Sequence, residues 1–432
     1  MNNLVSVSRK PFKLLTASQS FYPHIGGVST HLWTLLRYLS AFGYRVTAFH
    51  LRVLNELIHE RIGDIDIYRG PRMNVDSKIL EGYASYKERL YLANHGLDEK
   101  SDFSPTDLDS YPVYRALMAA MGQELSTLVL SHDIDIVHVH DYQLVEIHRS
   151  IPPRAARILS WHSPFLGDYS AGYLRYLQEH LNNYDAVVFA LDSDRIAAET
   201  LGLSRPELLT LSPMTDISQF YPDPIDRRVT REALEISDNQ IAVLCVQRFD
   251  AKSGHRQLIE AIAKLVPFFP QIRVLLAGGA SLTDKISAIR RQYELAIRDL
   301  VGMLRLQDHV RFLGSIPYRD VASLYRASDI VAVLSQRECF GLTLTEAMAS
   351  GCSVIGTNTG GIAAQIEPEI TGLLVPPNDI EATVQAFVQL LTNEHLRACL
   401  GQRARAAAVS RFGALELATR HVTLYQRILE TH

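Results

Sequence analysis

The chain has 432 residues, too many for one compact core and enough for two or three domains at roughly 100 to 200 residues each. With 47% hydrophobic and 21% charged residues it reads as globular, which excludes a disordered or fibrous chain, and no apolar run is long enough to span a bilayer. A formal net charge of -4 gives no general attraction for nucleic acid, so small-molecule partners are expected.

Four cysteines, Cys245, Cys339, Cys352 and Cys399, include no CxxC pair, which argues for reduced structural thiols. The opening MNNLVSVSRKPFKLL carries a basic pair but no apolar core followed by a small-residue cleavage site, and a cytoplasmic protein is expected.

The first apolar run, KLLTASQSF, reads as a strand. It leads through SFYPHIGGVSTHLWTLLRYL, with His24, Gly26 and Gly27, into a helix bearing Leu32, Leu35, Leu36 and Leu39. Glycines at such a turn let backbone amides approach a ligand. The spacing is not GxGxxG, so the nicotinamide fingerprint is absent, and a plain tight turn explains the glycines equally well. A second strand, YRVTAFHL, follows. Residues 70–125 then break the pattern: they are aromatic and mixed in charge, and the polar stretch near 98–112 is expected to be a long loop in an ordered, substrate-facing insertion.

IVHVHD and RILSWHS are the next strands, and their ends carry Asp141 with Gln143, and His162. Ligands in open parallel sheets bind at such ends. His138 and His140 share one strand face, yet no acidic or cysteine cluster completes a metal site, so no metal is expected. For His162 a satisfied structural histidine is as good a reading as a substrate contact. AVVFALDS closes the first series, and residues 212–240, rich in Pro, Asp and Ser, read as a link between two doubly wound domains.

A second series follows: AVLCVQRF, IRVLLAGG, VRFLGSIP, IVAVLSQ, SVIGTN and GLLVPP, with helical patterns between. Continuous apolar runs of this kind indicate parallel sheets covered on both faces. In VQRFDAKSGHRQLIEA, Arg248 and Lys252 precede a helix N-terminus, where amides and the helix dipole favour an anion; solvated loop charges are the bland alternative. In SQRECFGLTLTEAMASGCSVIGTNTGG, Glu338 lies at the mouth of a turn and Glu346 inside the following helix. The two carboxylates suit two hydroxyl-rich parts of one ligand, with the turn's amides facing its phosphates between them. Cys339 reads as a buried thiol rather than a nucleophile. The tail, GALELATRHVTLYQRILETH, has helical spacing and closes the chain as a helix.

On these residues the chain resembles retaining glycosyltransferases of family 4, over almost its whole length. The most diagnostic match is E-x7-E, Glu338 to Glu346, around Phe340-Gly341-Leu342. YPHIGGVSTH, QRFDAKSG and SVIGTNTGG support it. Within the family, HDYQL and the FGLTLTEA run are most similar to trehalose-forming synthases.

The resemblance implies the α/β GT-B fold, two doubly wound Rossmann-like domains facing a central cleft. Residues 1–215 would bind the acceptor, with the insertion around 70–125. Residues 216–412 would bind the nucleotide sugar, and 413–432 would be a closing helix that packs back. It further implies that Glu338 meets hydroxyls of the donor sugar, Glu346 the ribose, and the amides of Phe340, Gly341 and Leu342 the sugar and diphosphate. Arg248 and Lys252 would clamp the diphosphate, Gly26 and Gly27 would approach it, Gly314 and Ile316 would lie against the base, and His162 would stand near the sugar. His24, Asp141 and Gln143 are the acceptor candidates. The donor would be a UDP-, ADP- or GDP-hexose, with no cofactor or metal required. Partners would be small-molecule donor and acceptor, with a lipid acceptor and peripheral membrane contact left open and no oligomeric state implied.

One departure stands out. The family's lysine falls immediately before glycine, where this chain has Ser253, and its lysine is one place earlier at Lys252. In a strand a one-residue slip would send the side chain to the opposite face; a turn is not held to that period, and Lys252 is expected to reach the phosphates. A retaining phosphorylase and a non-catalytic sugar-nucleotide binder on the same fold are the competing readings.

Overall fold

The computed structural model of the protein describes residues 11–24, 26–52, 56–72, 75–96, 103–203, 206–279 and 286–432, with the side chains of 286–290 outside that description. The chain divides into two compact units. Residues up to 24, 28–212 and 415–432 make the first, and residues 25–27 and 213–414 the second.

Eight strands form the sheet of the first unit: β1 (Lys13–Ser18), β2 (Arg45–Leu51), β3 (His59–Ile62), β4 (Ile65–Gly70), β5 (Ile136–His140), β6 (Ala156–Trp161), β7 (Ala186–Phe189) and β8 (Glu207–Thr210). Their order is β3-β4-β2-β1-β5-β6-β7-β8. Every pairing is parallel except β3 with β4. The central strand β5 is buried along its whole length, as expected of a strand covered on both faces. The tail helix Ala414–Thr431 returns to this unit through residues 415–432. There the Tyr425 hydroxyl lies 2.8 Å from His138 Nδ1, and Arg427 pairs with Glu207 at 2.6 Å.

The second unit has six parallel strands: β9 (Ile241–Val246), β10 (Ile272–Ala277), β11 (Val310–Gly314), β12 (Ile330–Val333), β13 (Ser353–Thr357) and β14 (Leu373–Val375). They are ordered β11-β10-β9-β12-β13-β14. Alternate residues of β9 feed two separate cores, Val243 and Cys245 on one face and Ala242 and Leu244 on the other. Both sheets therefore reverse strand order once, between β1 and β5 and between β9 and β12, and it is outside such a reversal that doubly wound sheets leave a crevice for ligands.

Three sequence expectations need correction. Strands β3, β4 and β8 were not anticipated, because HERI, IDIYRG and ELLT are short and interrupted by charge; β4 alternates buried and half-buried residues, and β3 and β8 are edges. The 70–125 insertion holds helices Ser77–Asn94 and Tyr111–Ser131, which the apolar pattern did not single out. Its polar residues 97–102 lie outside the described residues, and 103–110 hold a short 3-10 turn, Pro105–Asp107. Residues 213–240 belong to the second unit and include helix Pro224–Ala233. The Asp-Pro pair that suggested a break is a helix start: Asp223 accepts from the amides of Ile225 and Asp226 at 2.9 and 3.1 Å, and Pro224 opens the first turn.

That helix is held to the sheet by a buried arginine. Arg231 donates through Nη1 to Ala327 O (2.9 Å) and Asp329 Oδ2 (3.1 Å), and through Nη2 to Ser237 O and Gln240 O, both at 2.8 Å. Asp329 in turn accepts from the Ala242 amide at the start of β9, at 2.8 Å. Asp329 keeps Arg227 Nη2 at 2.6 Å when Arg231 is lost, but the carbonyls of Ala327, Ser237 and Gln240 lose their donor, so Arg231→Leu is expected to cost about 1 to 3 kcal/mol. The readout is the urea midpoint of the second unit, and an unchanged midpoint contradicts the assignment.

Candidate functional site

In the second unit, β9 delivers Gln247 and Arg248 to the switch point. Phe249 is buried with its ring stacked on His255 at 4.6 Å, which anchors the exit of the strand and leaves Arg248 exposed. Asp250 then accepts from the Lys252 amide at 3.1 Å and closes the short turn Ala251–Ser253. The turn docks main chain to main chain on the end of β12. Gln336 N donates to Lys252 O at 2.7 Å, and Gly254, with φ 73°, lies so close that a Cβ would meet Leu334 O at 1.9 Å. Ser253 takes the buried position of the turn and Lys252 the half-buried one.

The loop after β12 carries the first carboxylate. Gln247 Nε2 donates to Ser335 Oγ at 2.9 Å, and Ser335 Oγ donates to Glu338 Oε2 at 3.3 Å, so residues after β9 and β12 share one polar relay. Glu338 is half-buried. Its carbonyl accepts from Gly361 N at 3.1 Å, and Gly360 and Gly361 press so tightly on residues 338–340 that added Cβ atoms would lie 2.1 Å from Glu338 O and 2.3 Å from Phe340 Cα. Gln365 Nε2 also donates to Phe340 O. Gly341, at φ 85°, caps helix Leu342–Ala349 without a side chain; its carbonyl accepts from Leu344 N at 3.0 Å, and the helix opens at Leu342 with no side-chain oxygen as cap.

Glu346 lies one turn inside that helix and is 4% exposed. Tyr318 donates its hydroxyl to Oε1 and Tyr325 to Oε2, each at 3.1 Å. Burial pushes the carboxyl up to about 7 against the lowering effect of the two phenols. Both phenols are held well above their ordinary range by burial and by Glu346, so they remain donors. Gly314 ends β11 at φ 70°, its carbonyl accepting from Gly278 N at 2.9 Å, and Ile316 packs against the same core as Tyr318.

In the first unit the structure brings Asp141, Gln143 and His162 together. Asp141 has φ 71° and ψ 167°, a region that costs a non-glycine residue about 1 to 3 kcal/mol. It accepts from His162 N at 3.2 Å and Ser163 Oγ at 3.5 Å. Burial raises its carboxyl to about 6, opposed by bonds from the Tyr142 amide, the Gln143 side chain, the His162 amide and Ser163. His24 is elsewhere, 2.7 Å from Glu56 Oε1. Gly26 has open space around it, with nothing within 4 Å of an added Cβ, so sterics do not demand glycine there.

His162 also belongs to a cluster of imidazoles. Its Nε2 is 3.0 Å from His140 Nδ1, the two rings stack at 5.3 Å, and His31 lies 5.7 Å away, with His138 and His421 behind. Burial, with mutual repulsion, lowers His162 and His421 to about 4 and His31, His138 and His140 well below 6.5, so all five are neutral at pH 7. Among the described residues no group of three or more His, Cys, Asp or Glu side chains is arranged to hold a metal ion, and no helix is long and apolar enough to cross a membrane.

Sequence reasoning missed Ser335, Tyr318, Tyr325, His31 and His421. Tyr318 and Tyr325 are seven apart on helix Tyr318–Ala327, a spacing that reads as a core stripe and carries no sign of the carboxylate above it.

Residues 226–407 match the family model described as Glycosyl transferases group 1. The D-inositol 3-phosphate glycosyltransferase of Saccharomonospora viridis is 32% identical over 200 residues, 45% of this chain and 44% of that protein, so the match takes in less than half the relative's length. Among solved structures, Trehalose-6-phosphate synthase OtsA superposes with a TM-score of 0.79 at 16% identity, covering 96% of this chain and 99% of that one. Anabaena HepE in complex with UDP and glucose gives 0.70 at 18% identity, covering 96% and 99%. The two Rossmann-like units are those of the GT-B glycosyltransferase fold.

The histidine cluster has a measurable consequence. Below about pH 6.5 the unfolded chain takes up protons that these buried rings refuse, so their contribution to stability is complete above that pH and is lost as pH falls toward 4. His421→Leu removes one such group and should move the acid-unfolding midpoint of the first unit to lower pH; a midpoint that stays in place or rises contradicts the assignment.

Proposed function

We propose that this protein is a retaining glycosyltransferase that moves a hexose, glucose first among the candidates, from a nucleoside diphosphate sugar to a hydroxyl acceptor. The observation that carries the reading is in the second unit: Arg248 and Glu338 follow β9 and β12 on either side of the switch point, and the Lys252 turn is bonded to the Glu338 loop by Gln336 N at 2.7 Å. Cations, a helix start without a side-chain cap and a carboxylate thus follow neighbouring strands, which suits a sugar attached to a diphosphate.

In this reading Arg248 and Lys252 hold the diphosphate with the amides of Phe340, Gly341 and Leu342, and Gly26 and Gly27 leave room beside a phosphate. Glu338 accepts from hydroxyls of the sugar and Glu346 from the ribose, while Gly314 and Ile316 border the base. Asp141, Gln143, His24 and His162 face the acceptor side. His162, lowered to about 4, is a neutral hydrogen-bonding group at pH 7 rather than an acid. The bond from the anomeric carbon to the diphosphate breaks, the acceptor oxygen attacks from the same face, and its proton passes to the leaving diphosphate. Catalysis then rests on donors fixed toward the growing negative charge, with no protein nucleophile.

The names of similar proteins guide the choice of substrates. One is a D-inositol 3-phosphate glycosyltransferase, one a trehalose-6-phosphate synthase, and one was captured with UDP and glucose. UDP-glucose with a phosphorylated sugar or polyol is therefore the first pair to assay, followed by ADP- and GDP-glucose, free glucose and lipid acceptors.

Losing a hydrogen bond to a charged group costs about 1.5 to 3 kcal/mol, so Lys252→Ala should lower donor turnover by roughly 10- to 100-fold. Ser253→Ala, which leaves the ammonium in place, should stay within about threefold of wild type. Normal turnover in the lysine variant would sink the clamp, and a product of inverted anomeric configuration by NMR would sink the retaining step. Binding of phosphate and a sugar phosphate without any nucleoside diphosphate would favour a phosphorylase instead.

A further inference from the structure

Glu346 is the most completely buried carboxylate of the proposed site, and its two oxygens are treated alike: Tyr318 donates to one and Tyr325 to the other, each at 3.1 Å. We propose that Tyr318 is a positioning residue: with Tyr325 it holds both oxygens of Glu346, read above as the ribose contact, in the ionised acceptor form that a vicinal diol requires. The inference rests on the transfer reading above, which puts a nucleotide in this unit.

An ionised carboxylate offers about four acceptor positions, two on each oxygen. The phenols use one on each, which leaves one on each for the paired O–H donors of a ribose cis-diol. If the carboxyl takes a proton, one oxygen becomes a donor and the match is lost. Burial favours that protonated state, and the two phenols oppose it. They are the polar groups that keep the carboxylate in acceptor form, and removing either one shifts the balance toward the acid.

Of the two, Tyr318 is the one poised beside the ligand. It is half-buried, whereas Tyr325 is fully buried, and it opens helix Tyr318–Ala327 directly after Gly314–Pro317, the segment assigned to the base. Phe220 meets both phenol rings edge-on at 5.7 and 5.9 Å, and Gln219 Nε2 donates to Tyr318 O at 3.2 Å, so the pair is fixed from below.

The surroundings bring few other charges. Asp216 acts on Tyr318, and Cys352 donates its thiol to Tyr325 O at 3.1 Å. Arg405, on helix Glu394–Phe412, bonds to the carbonyls of Phe220 and Ala349. Strands β12 and β13 and helix Gly360–Gln365 contain no charged residue. Tyr318 and Tyr325 on one helix, facing Glu346 on another, are thus the groups that set its state.

The test is calorimetric binding from pH 6 to pH 9 with UDP, ADP and GDP, using whichever the wild type binds, and with the 2′,3′-dideoxy form of the same nucleotide. The dideoxy form carries the same diphosphate, so titration of the phosphate cancels in the comparison. Wild-type affinity for the ribonucleotide should rise through about pH 7 relative to the dideoxy form. Tyr318→Phe should bind the ribonucleotide at least about tenfold more weakly at pH 7 and recover toward pH 9, with the dideoxy form unaffected. Glu346→Gln should be weak for the ribonucleotide at every pH.

Equal wild-type affinity for the two nucleotides overturns the proposal, as does a Tyr318→Phe variant that binds like wild type or loses affinity for both equally across the pH range. Should Tyr318→Phe not fold, the wild-type comparison and Glu346→Gln still decide the matter. Failure of the wild type to bind any of the three diphosphates overturns the transfer reading itself, an outcome distinct from nucleotide binding that ignores the ribose.

Discussion

A single main-chain hydrogen bond, Gln336 N to Lys252 O at 2.7 Å, ties the basic turn after β9 to the carboxylate loop after β12. It forms because β9 and β12 are neighbours in the sheet although more than eighty residues separate them along the chain, and because Gly254 lets the backbone close on Leu334. The Gln247 to Ser335 bond joins the same two segments a second time. Glu338 is further held by the Ser335 and Gln247 relay and by the glycine pair at 360–361, so the carboxylate loop rests on closely packed main chain.

The electrostatics of the two units differ in character. In the second, Arg248 is exposed and Lys252 half-buried at the strand ends, and the buried carboxylate Glu346 is balanced by phenols rather than by a cation. In the first, the strand ends carry neutral imidazoles and Asp141, whose carboxyl burial raises to about 6.

Much of this was legible in the sequence, and for specific reasons. Eleven of the fourteen strands among the described residues announced themselves as apolar runs because parallel strands are covered on both faces. Glu338, Gly341 and Glu346 could be placed because a strand, a glycine turn and a helix fix their spacing locally. The edge strands β3 and β8 escaped because one-sided cover relaxes the demand for apolar residues, and helix Pro224–Ala233 escaped because Asp-Pro serves equally as a breaker and as a helix start. Helix Ser77–Asn94 escaped because Tyr83, Tyr86 and small residues, with Leu90, supply its buried face in place of a leucine stripe, whereas Tyr111–Ser131 does carry an apolar stripe, Leu117, Met118, Met121, Leu125 and Leu128, that the polar stretch before it obscured.

By itself the sequence determined the class of fold, the two sets of parallel strands and the local chemistry of each strand end, since all of these depend on residues near one another in the chain. Tertiary structure alone decided which distant groups meet. It set Tyr318 and Tyr325 on the two oxygens of Glu346, gathered His31, His138, His140, His162 and His421 into one dry cluster, and seated Ser253 in the buried position of a turn that leaves Lys252 half-buried. Each of these results from helices and strands closing over long loops, and no pattern along the chain encodes where such a closure will bring two side chains together.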